Sequence, residues 1–471
     1  MPTSAKPSGA VVAKLRALAL QEELENRLKR HHPDDLIPHL ARRLANVLKE
    51  PRLMASWPPH FLAHAIAANC AFHRPCYRDA ITDDRIRRLV NVYHQHPDPV
   101  PDYFLEQEQR IDLFLINTAR QQFYLQHGEA QPDIARAILL FDESAYGKTL
   151  VNIRAHLGFG FSDWIKFLFI LSAAVMRRPG MIIEPSYFHD MPPSILPAST
   201  IRALVSAISQ SAPDVAAAYL KLRSTLQGLI FNLYVPSVFL KRPLFCMTDG
   251  HYVAVHKLFL RGLITGGLFD LAREHSPVTF GEEFGDAFER YTGSILAAIP
   301  EARVFTEKNL QKYTGKKVCD FAVVGDAYVL FVEAKGTEYR SLFASDGALR
   351  GDNSTTKLGE AVDQVTSTAR LTRSGEFQEL FGDTSGKKLI AGIVTFRHIY
   401  FANGDPYWTD FILPRVKTVD EVALGSLFAF RPQVFDIRSL EMHFGGSARW
   451  LPSFSFADKG REEHPLCSSE D

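Results

Sequence analysis

The sequence predicts a multidomain α+β protein, in which an all-helical N-terminal domain precedes a smaller unit ordered helix, three strands, helix, strand. Two observations predict it. Over 35–49, 85–93, 132–140, 164–177 and 214–234, apolar residues recur three and four positions apart, with few strand-like alternations. Beyond residue 278, short runs rich in Val, Phe and Ile alternate with helical patterns and are separated by turn signals. A chain of 471 residues has room for two or three domains. The expected boundaries are a helical domain over 1–240, a hairpin and helix connector over 241–277, a mixed domain over 278–420 and a C-terminal extension over 421–471.

The elements are justified in order. Prolines at 97, 99, 101, 192 and 193 punctuate the helical half. Residues 243–247 and 251–255, joined through Thr248-Asp249-Gly250, read as a hairpin, and a helix follows over 256–274. Thr279 reads as the N-cap of a helix over 280–296, with Glu282 completing a capping box. On that helix Phe284, Phe288, Tyr291 and Ile295 form an apolar stripe, and Glu282, Asp286 and Glu289 an acidic one beside it. Residues 303–306 read as a first strand, and Gly315-Lys316-Lys317 as a basic turn into the second. A helix over 357–371 carries Gln364, and 388–396 is an apolar strand. Residues 407–413 suggest another strand, and 459–471 a polar, mobile tail.

The most informative stretch is 318–335, which places Asp320, Glu333 and Lys335 inside two strongly apolar runs. Gly325-Asp326 reads as a tight turn between two strands. With a two-residue loop, Val324 pairs with Ala327 and Asp320 falls opposite Phe331. Side chains alternate with period two, so Glu333 and Lys335 then share the face of Asp320. Diagonal cross-strand neighbours lie about 7–8 Å apart, a gap that one divalent ion with oxygen ligands can bridge.

Asp320, followed at hairpin distance by Glu333-Ala334-Lys335, resembles the D…(E)-x-K signature of the PD-(D/E)XK nuclease superfamily; Cys319 stands where that pattern has proline. Gly285 to Glu289 is similar to the preceding helix of that superfamily, and helix, three strands, helix, strand is its core order. The resemblance spans about 278–400 and implies a restriction-endonuclease-like fold with a mixed central sheet. It implies that Asp320 and Glu333, with the Ala334 carbonyl, hold Mg2+ or Mn2+, and that Glu289, or Glu282 in its place, adds a carboxylate. Lys335 would orient or deprotonate the attacking water and stabilise the transition state, and Gln364 would hydrogen-bond water or substrate. The expected reaction is hydrolysis of phosphodiester bonds, with DNA favoured over RNA, in defence against foreign DNA or in repair. A catalytically inactive nuclease-fold protein that binds nucleic acid or a partner is the alternative.

Composition limits the electrostatic argument. Lys+Arg and Asp+Glu number 53 each, so any attraction for nucleic acid must be local. Lys308, Lys312, Lys316 and Lys317 supply such a patch, which Arg340, Arg350, Lys357, Arg370 and Arg373 would extend; Lys312, Lys316, Lys317 and Lys357 are the expected phosphate contacts. For any one of these lysines, a merely solvated charge is the ordinary role. Five unevenly spaced cysteines give neither a disulfide framework nor a paired zinc motif, and Cys70, His73 and Cys76 lack structural zinc spacing. Arg88 and His94 match a loose pattern of helical ribonucleases, and Gly147-Lys148-Thr149 ends an incomplete phosphate loop whose first glycine is replaced by Asp142. Residues 164–176 are too short and too charged to span a bilayer, and the first 20 residues lack a clean apolar signal core. A cytoplasmic setting is expected, with the helical domain selecting substrate, binding a partner or mediating dimerisation.

Overall fold

The computed structural model describes residues 9–47, 59–77, 79–95, 131–178, 180–225, 237–338, 351–417 and 420–444, with a few isolated positions between them. It is a mixed α+β structure whose chain divides into two compact units between Glu283 and Phe284.

In the first unit, α1 (Gly9–Leu28), α2 (Pro33–Val47), α3 (Pro59–Phe72) and α4 (Asp83–Gln95) surround one apolar core. Leu36, Ile37, Leu40, Leu44 and Val47 of α2 are all buried in it, as their three- and four-residue spacing demands. Around the helices α5 (Gly147–Leu157) and α6 (Phe161–Arg177) lies a second set of buried aromatics, in which Tyr146, just before α5, meets Phe141, Phe161 and Phe280. Trp164 Nε1 donates to Leu263 O at 2.8 Å, which ties α6 to a π-helical turn over Leu263–Gly267. Among the described residues no single helix is long and apolar enough to cross a membrane; α5 and α6, bent by 60° at their junction, reach that length only as a pair.

The expectation of an all-helical first domain is corrected. β1 (Ile182–Ile183) and β2 (Ser209–Ser211) join the expected hairpin, β3 (Leu244–Cys246) and β4 (Tyr252–Ala254), in a four-stranded sheet of order β1-β4-β3-β2. Strands of two and three residues are too short for a period-two pattern to register in sequence. α7 (Ala212–Thr225) follows β2 directly, and α2, α3 and α7 pack together.

The helix α8 (Pro277–Leu296) starts two residues before the expected N-cap. Proline is pre-organised for a first helical turn, and Ser276 O accepts from Phe280 N at 2.9 Å. Thr279 therefore lies inside the first turn, its hydroxyl 2.5 Å from Ser276 Oγ.

In the second unit a five-stranded sheet has the order β5 (Arg303–Thr306), β6 (Phe321–Val324), β7 (Tyr328–Lys335), β8 (Lys388–Thr395) and β9 (Gln433–Asp436). The first two pairings are antiparallel and the last two parallel. The parallel step from β7 to β8 needs a crossover, supplied by α10 (Asn353–Arg373), which packs on both strands. Phe321 lies against Gly293 of α8, whereas Lys335, on the other face, meets Gln364 of α10. The sheet is thus covered on both sides, and every residue of β6 is buried.

Three further expectations are corrected. The β6–β7 turn is displaced by one residue: Val324 pairs with Val329, and Gly325 N donates to Tyr328 O at 3.1 Å across Asp326-Ala327. A helix, α9 (Glu307–Thr314), stands between β5 and β6 where only a turn was expected, capped by Gly315 at φ 56°. Residues 407–413 are helical, because the buried Tyr407, Trp408, Phe411 and Ile412 recur at helical spacing despite their strand-prone side chains. The fifth strand is β9, inside the expected C-terminal extension and followed by α11 (Ile437–Phe444). The tail over 459–471 lies outside the described residues.

A Cβ built on Gly293 would come within 2.8 Å of the Phe321 ring. Gly293→Val should therefore lower stability by about 1–3 kcal/mol through overpacking, read as a lower urea midpoint; an unchanged midpoint would mean that α8 does not press on β6.

Candidate active site

The hairpin brings the two expected carboxylates side by side. Because Phe321 pairs with Val332, the next position back sets Asp320 across from Glu333. Compared with the expected pairing, the register has moved by two residues, an even step that preserves the shared face. The carboxylates are direct cross-strand neighbours instead of diagonal ones. Ala334 N donates to Asp320 Oδ2 at 2.7 Å, and Asp320 N donates to Glu333 Oε2 at 3.2 Å. Each acid thus holds the backbone of the other strand.

Lys335, two residues beyond Glu333, folds back on it. Its Nζ donates to Glu333 Oε1 and, at 3.0 Å, to Gln364 Oε1 of α10. Glu333 has 0 % exposure and Lys335 17 %, so this is a largely dry ion pair. Burial, with Asp320 nearby, pushes the Glu333 carboxyl up to about 8 against the pull of Lys335. Burial raises Asp320 as well, against the Ala334 amide and the Lys335 charge. Two acids that both resist ionisation, beside one ammonium, form a site whose charge is incompletely balanced.

Glu289 stands half-buried on α8, its carboxyl raised by burial and then by Asp320, Glu307 and Asp286, with Lys308 opposing. Glu282, the alternative carboxylate, is exposed. Gln364 is buried and already engaged with Lys335. Sequence reasoning missed the supports behind these groups. Cys319 N donates to Thr368 Oγ1 at 2.8 Å, and Thr368 Oγ1 donates to Gln364 O at 2.9 Å. Glu307 N donates to Asp320 O at 2.7 Å, which fastens the start of α9 to the site. Threonines spaced four apart on α10, at 368 and 372, were the available signal for its sheet-facing side.

The expected phosphate contacts divide. Lys312, Lys316 and Lys317 are exposed on α9 and its capping turn, and Lys317 draws down both Asp320 and Glu360 electrostatically. Lys357 is half-exposed but bonded to Glu360 at 3.0 Å, which neutralises it locally. Arg373 is fixed to the carbonyls of Thr384 and Lys387 at the far end of α10, away from Lys335, so it does not extend the patch. Arg340 and Arg350 lie outside the described residues.

The weaker constellations do not assemble. Arg88 and His94 are six residues apart on α4, which places them on different sides of that helix. Lys148 N and Thr149 N, at the start of α5, donate to the Glu283 carboxylate at 3.0 and 3.1 Å, so an internal acid caps the incomplete phosphate loop. Among the described residues no three His, Cys, Asp or Glu side chains converge to hold a metal ion, Cys70, His73 and Cys76 included. The donor set at Asp320 and Glu333 is two carboxylates, and a cation there would have to share Glu333 with Lys335. Hard divalent ions take such oxygen donors and complete their shells with water and substrate oxygens, so the residues fit Mg2+ or Mn2+ as an open site. No protein-family model, curated protein or solved structure matches this chain.

A carboxyl raised from 4.5 to about 8 binds more protons in the folded than in the unfolded chain between those values. Its stabilising contribution is therefore full below about pH 4.5 and lost as pH rises through 8, with a limiting slope of about 1.4 kcal/mol per pH unit. Urea midpoints measured in chelator should fall between pH 5.5 and 8.5, and Glu333→Gln should flatten that fall; stability that rises over this range would contradict the burial argument.

Proposed function

We propose that the second unit is a divalent-metal-dependent nuclease that hydrolyses phosphodiester bonds of DNA. One observation carries this reading: Asp320 and Glu333 face each other across antiparallel strands, and Lys335 reaches back onto the pair. The resemblance of Asp320, Glu333, Ala334 and Lys335 to the PD-(D/E)XK signature supports it, as does the strand and helix order from α8 to β8.

Asp320 and Glu333 would hold Mg2+ or Mn2+, with Glu289 contributing from α8. Such an ion, when bound, supplies charge for the phosphate oxygens and makes a bound water more acidic. The chain's own groups do the rest. Lys335 would donate to the attacking water or to the phosphate. Its desolvated surroundings keep that hydrogen bond strong. Gln364 holds Lys335 from the other side and limits where its ammonium can point. Lys312, Lys316 and Lys317 would contact the DNA backbone, with Lys357 available once Glu360 releases it. DNA is preferred to RNA because most of the resembling superfamily acts on DNA. Defence against foreign DNA or repair in the cytoplasm is the matching setting, with the first unit selecting substrate, binding a partner or pairing two chains.

A second reading has its own support. Lys335 Nζ already occupies Glu333 Oε1, an arrangement that also suits a nuclease-fold protein that binds nucleic acid without cutting it. Incubation with plasmid and linear DNA in Mg2+, in Mn2+ or in chelator separates the two. The nuclease should cut only with metal, and Lys335→Ala and Asp320→Asn should each slow cleavage at least about 100-fold. Asp320→Asn should not lower stability, because it removes a buried charge beside Glu333. DNA that stays intact with the wild-type chain under all metals would leave the binding reading.

The lysine turn gives a separate test. Lys316→Glu together with Lys317→Glu should weaken DNA binding and flatten its dependence on salt by about two phosphate contacts' worth; unchanged binding over a salt series would remove this turn from the interface.

A further inference from the structure

Beyond β8 the chain carries an exposed aromatic loop that the metal chemistry does not use. Lys335 and Thr395 are register partners at the ends of β7 and β8, so this loop leaves the sheet at the edge where Lys335 sits. Phe401 follows Thr395 by six residues, a span of at most about 20 Å. The residue is 37 % exposed and its φ is 64°, a left-handed conformation that is unfavourable for a residue with a Cβ. His398, also exposed, stacks on Tyr400 with ring centroids 4.5 Å apart.

The surroundings hold Phe401 in this conformation. Ala402 N donates to Ile399 O at 3.1 Å, and Gly404 N donates to Phe401 O at 2.8 Å. Ile399 and Ala402 are buried, which anchors the turn on both sides of the aromatic residues. The Asn403 side chain pairs with the backbone of Val434 in β9, donating to its carbonyl at 2.7 Å and accepting from its amide at 2.8 Å. Arg431 donates to Asn403 O. A loop tied this firmly to the neighbouring strand, yet presenting a large ring to solvent through a strained backbone, is organised before anything binds.

The geometry points to a base-stacking platform: Phe401, on the same loop as the His398–Tyr400 pair, takes an unpaired nucleobase of the strand presented to the Asp320–Glu333–Lys335 site. This assignment rests on the nucleic-acid reading above and narrows its substrate to single-stranded or locally opened DNA. Every base has a π face, so the platform gives a preference for strand state and little for sequence. In a closed duplex the bases are stacked on one another and offer no face to Phe401.

Binding of a 20-nucleotide single strand and of the corresponding duplex, followed by fluorescence anisotropy with the full-length protein in chelator, tests it without cleavage. Phe401→Ala and Phe401→Gly should each weaken single-strand binding about five- to 100-fold and change duplex binding less than about twofold. Because glycine adopts positive φ freely, Phe401→Gly should melt close to the wild-type temperature, so its binding defect cannot come from unfolding. Single-strand affinity within about twofold of wild type in both variants would overturn the platform, as would equal losses on single strand and duplex. If the wild-type chain binds no single strand, the platform falls too. Since the assay contains no metal, failure of cleavage with the Phe401 effect intact would instead overturn the nuclease reading and leave this one standing.

Discussion

The burial of Glu333 is the constraint around which the second unit is arranged. A carboxylate with no exposed surface is costly unless it is protonated, paired or hydrogen-bonded. Here both of its oxygens are engaged, one by Lys335 and one by the amide of Asp320. The first partner places the end of β7 under α10, where Gln364 receives the same ammonium. The second requires β6 to stand in the observed register, and Asp320 returns the constraint by accepting from Ala334. Strand pairing, helix placement and side-chain chemistry therefore share one set of hydrogen bonds. A buried group that stays unfavourable to ionise despite these partners also concentrates local electrostatic strain where a cation would act.

Much of this was legible because the decisive signal was a parity. Charged residues inside apolar strand runs stand out, and alternation along a strand places them on one face wherever the turn falls, provided that the register moves by an even number. The turn itself was misread: Gly325-Asp326 has the composition of a two-residue loop, yet the chain reaches Tyr328 before pairing resumes. Local composition also hid α9. Its sequence, rich in Lys, Gln, Asn and Glu around a single buried Leu310, has little apolar periodicity to reveal it. The strand expected over 407–413 failed for the opposite reason: aromatic and branched side chains favour either element, and packing against α10 decided for helix. β9 is four residues long and borrows its order from β8, which no local window contains.

Charge neutrality of the whole chain conceals a sorted surface. α9 and its glycine cap put Lys312, Lys316 and Lys317 in solvent, and Lys317 favours the ionisation of Asp320, whereas Lys357 is balanced on its own helix by Glu360. Cationic side chains with similar sequence credentials thus differ in what they can offer a polyanion. The same holds for helix starts: that of α5 is closed by Glu283, a tethered anion which a free phosphate would have to displace at high effective concentration.

The even offset at the β6–β7 turn limits how this hairpin can vary. A register slip of two residues slides Asp320 from one neighbour of Glu333 to the next while both stay on the α10 side. A slip of one residue would rotate one acid to the α8 side and dismantle the cluster in a single step. Slips of register in this hairpin can accordingly be accommodated only in steps of two, and the site can be tuned from cross-strand to diagonal spacing without any substitution in the acids themselves.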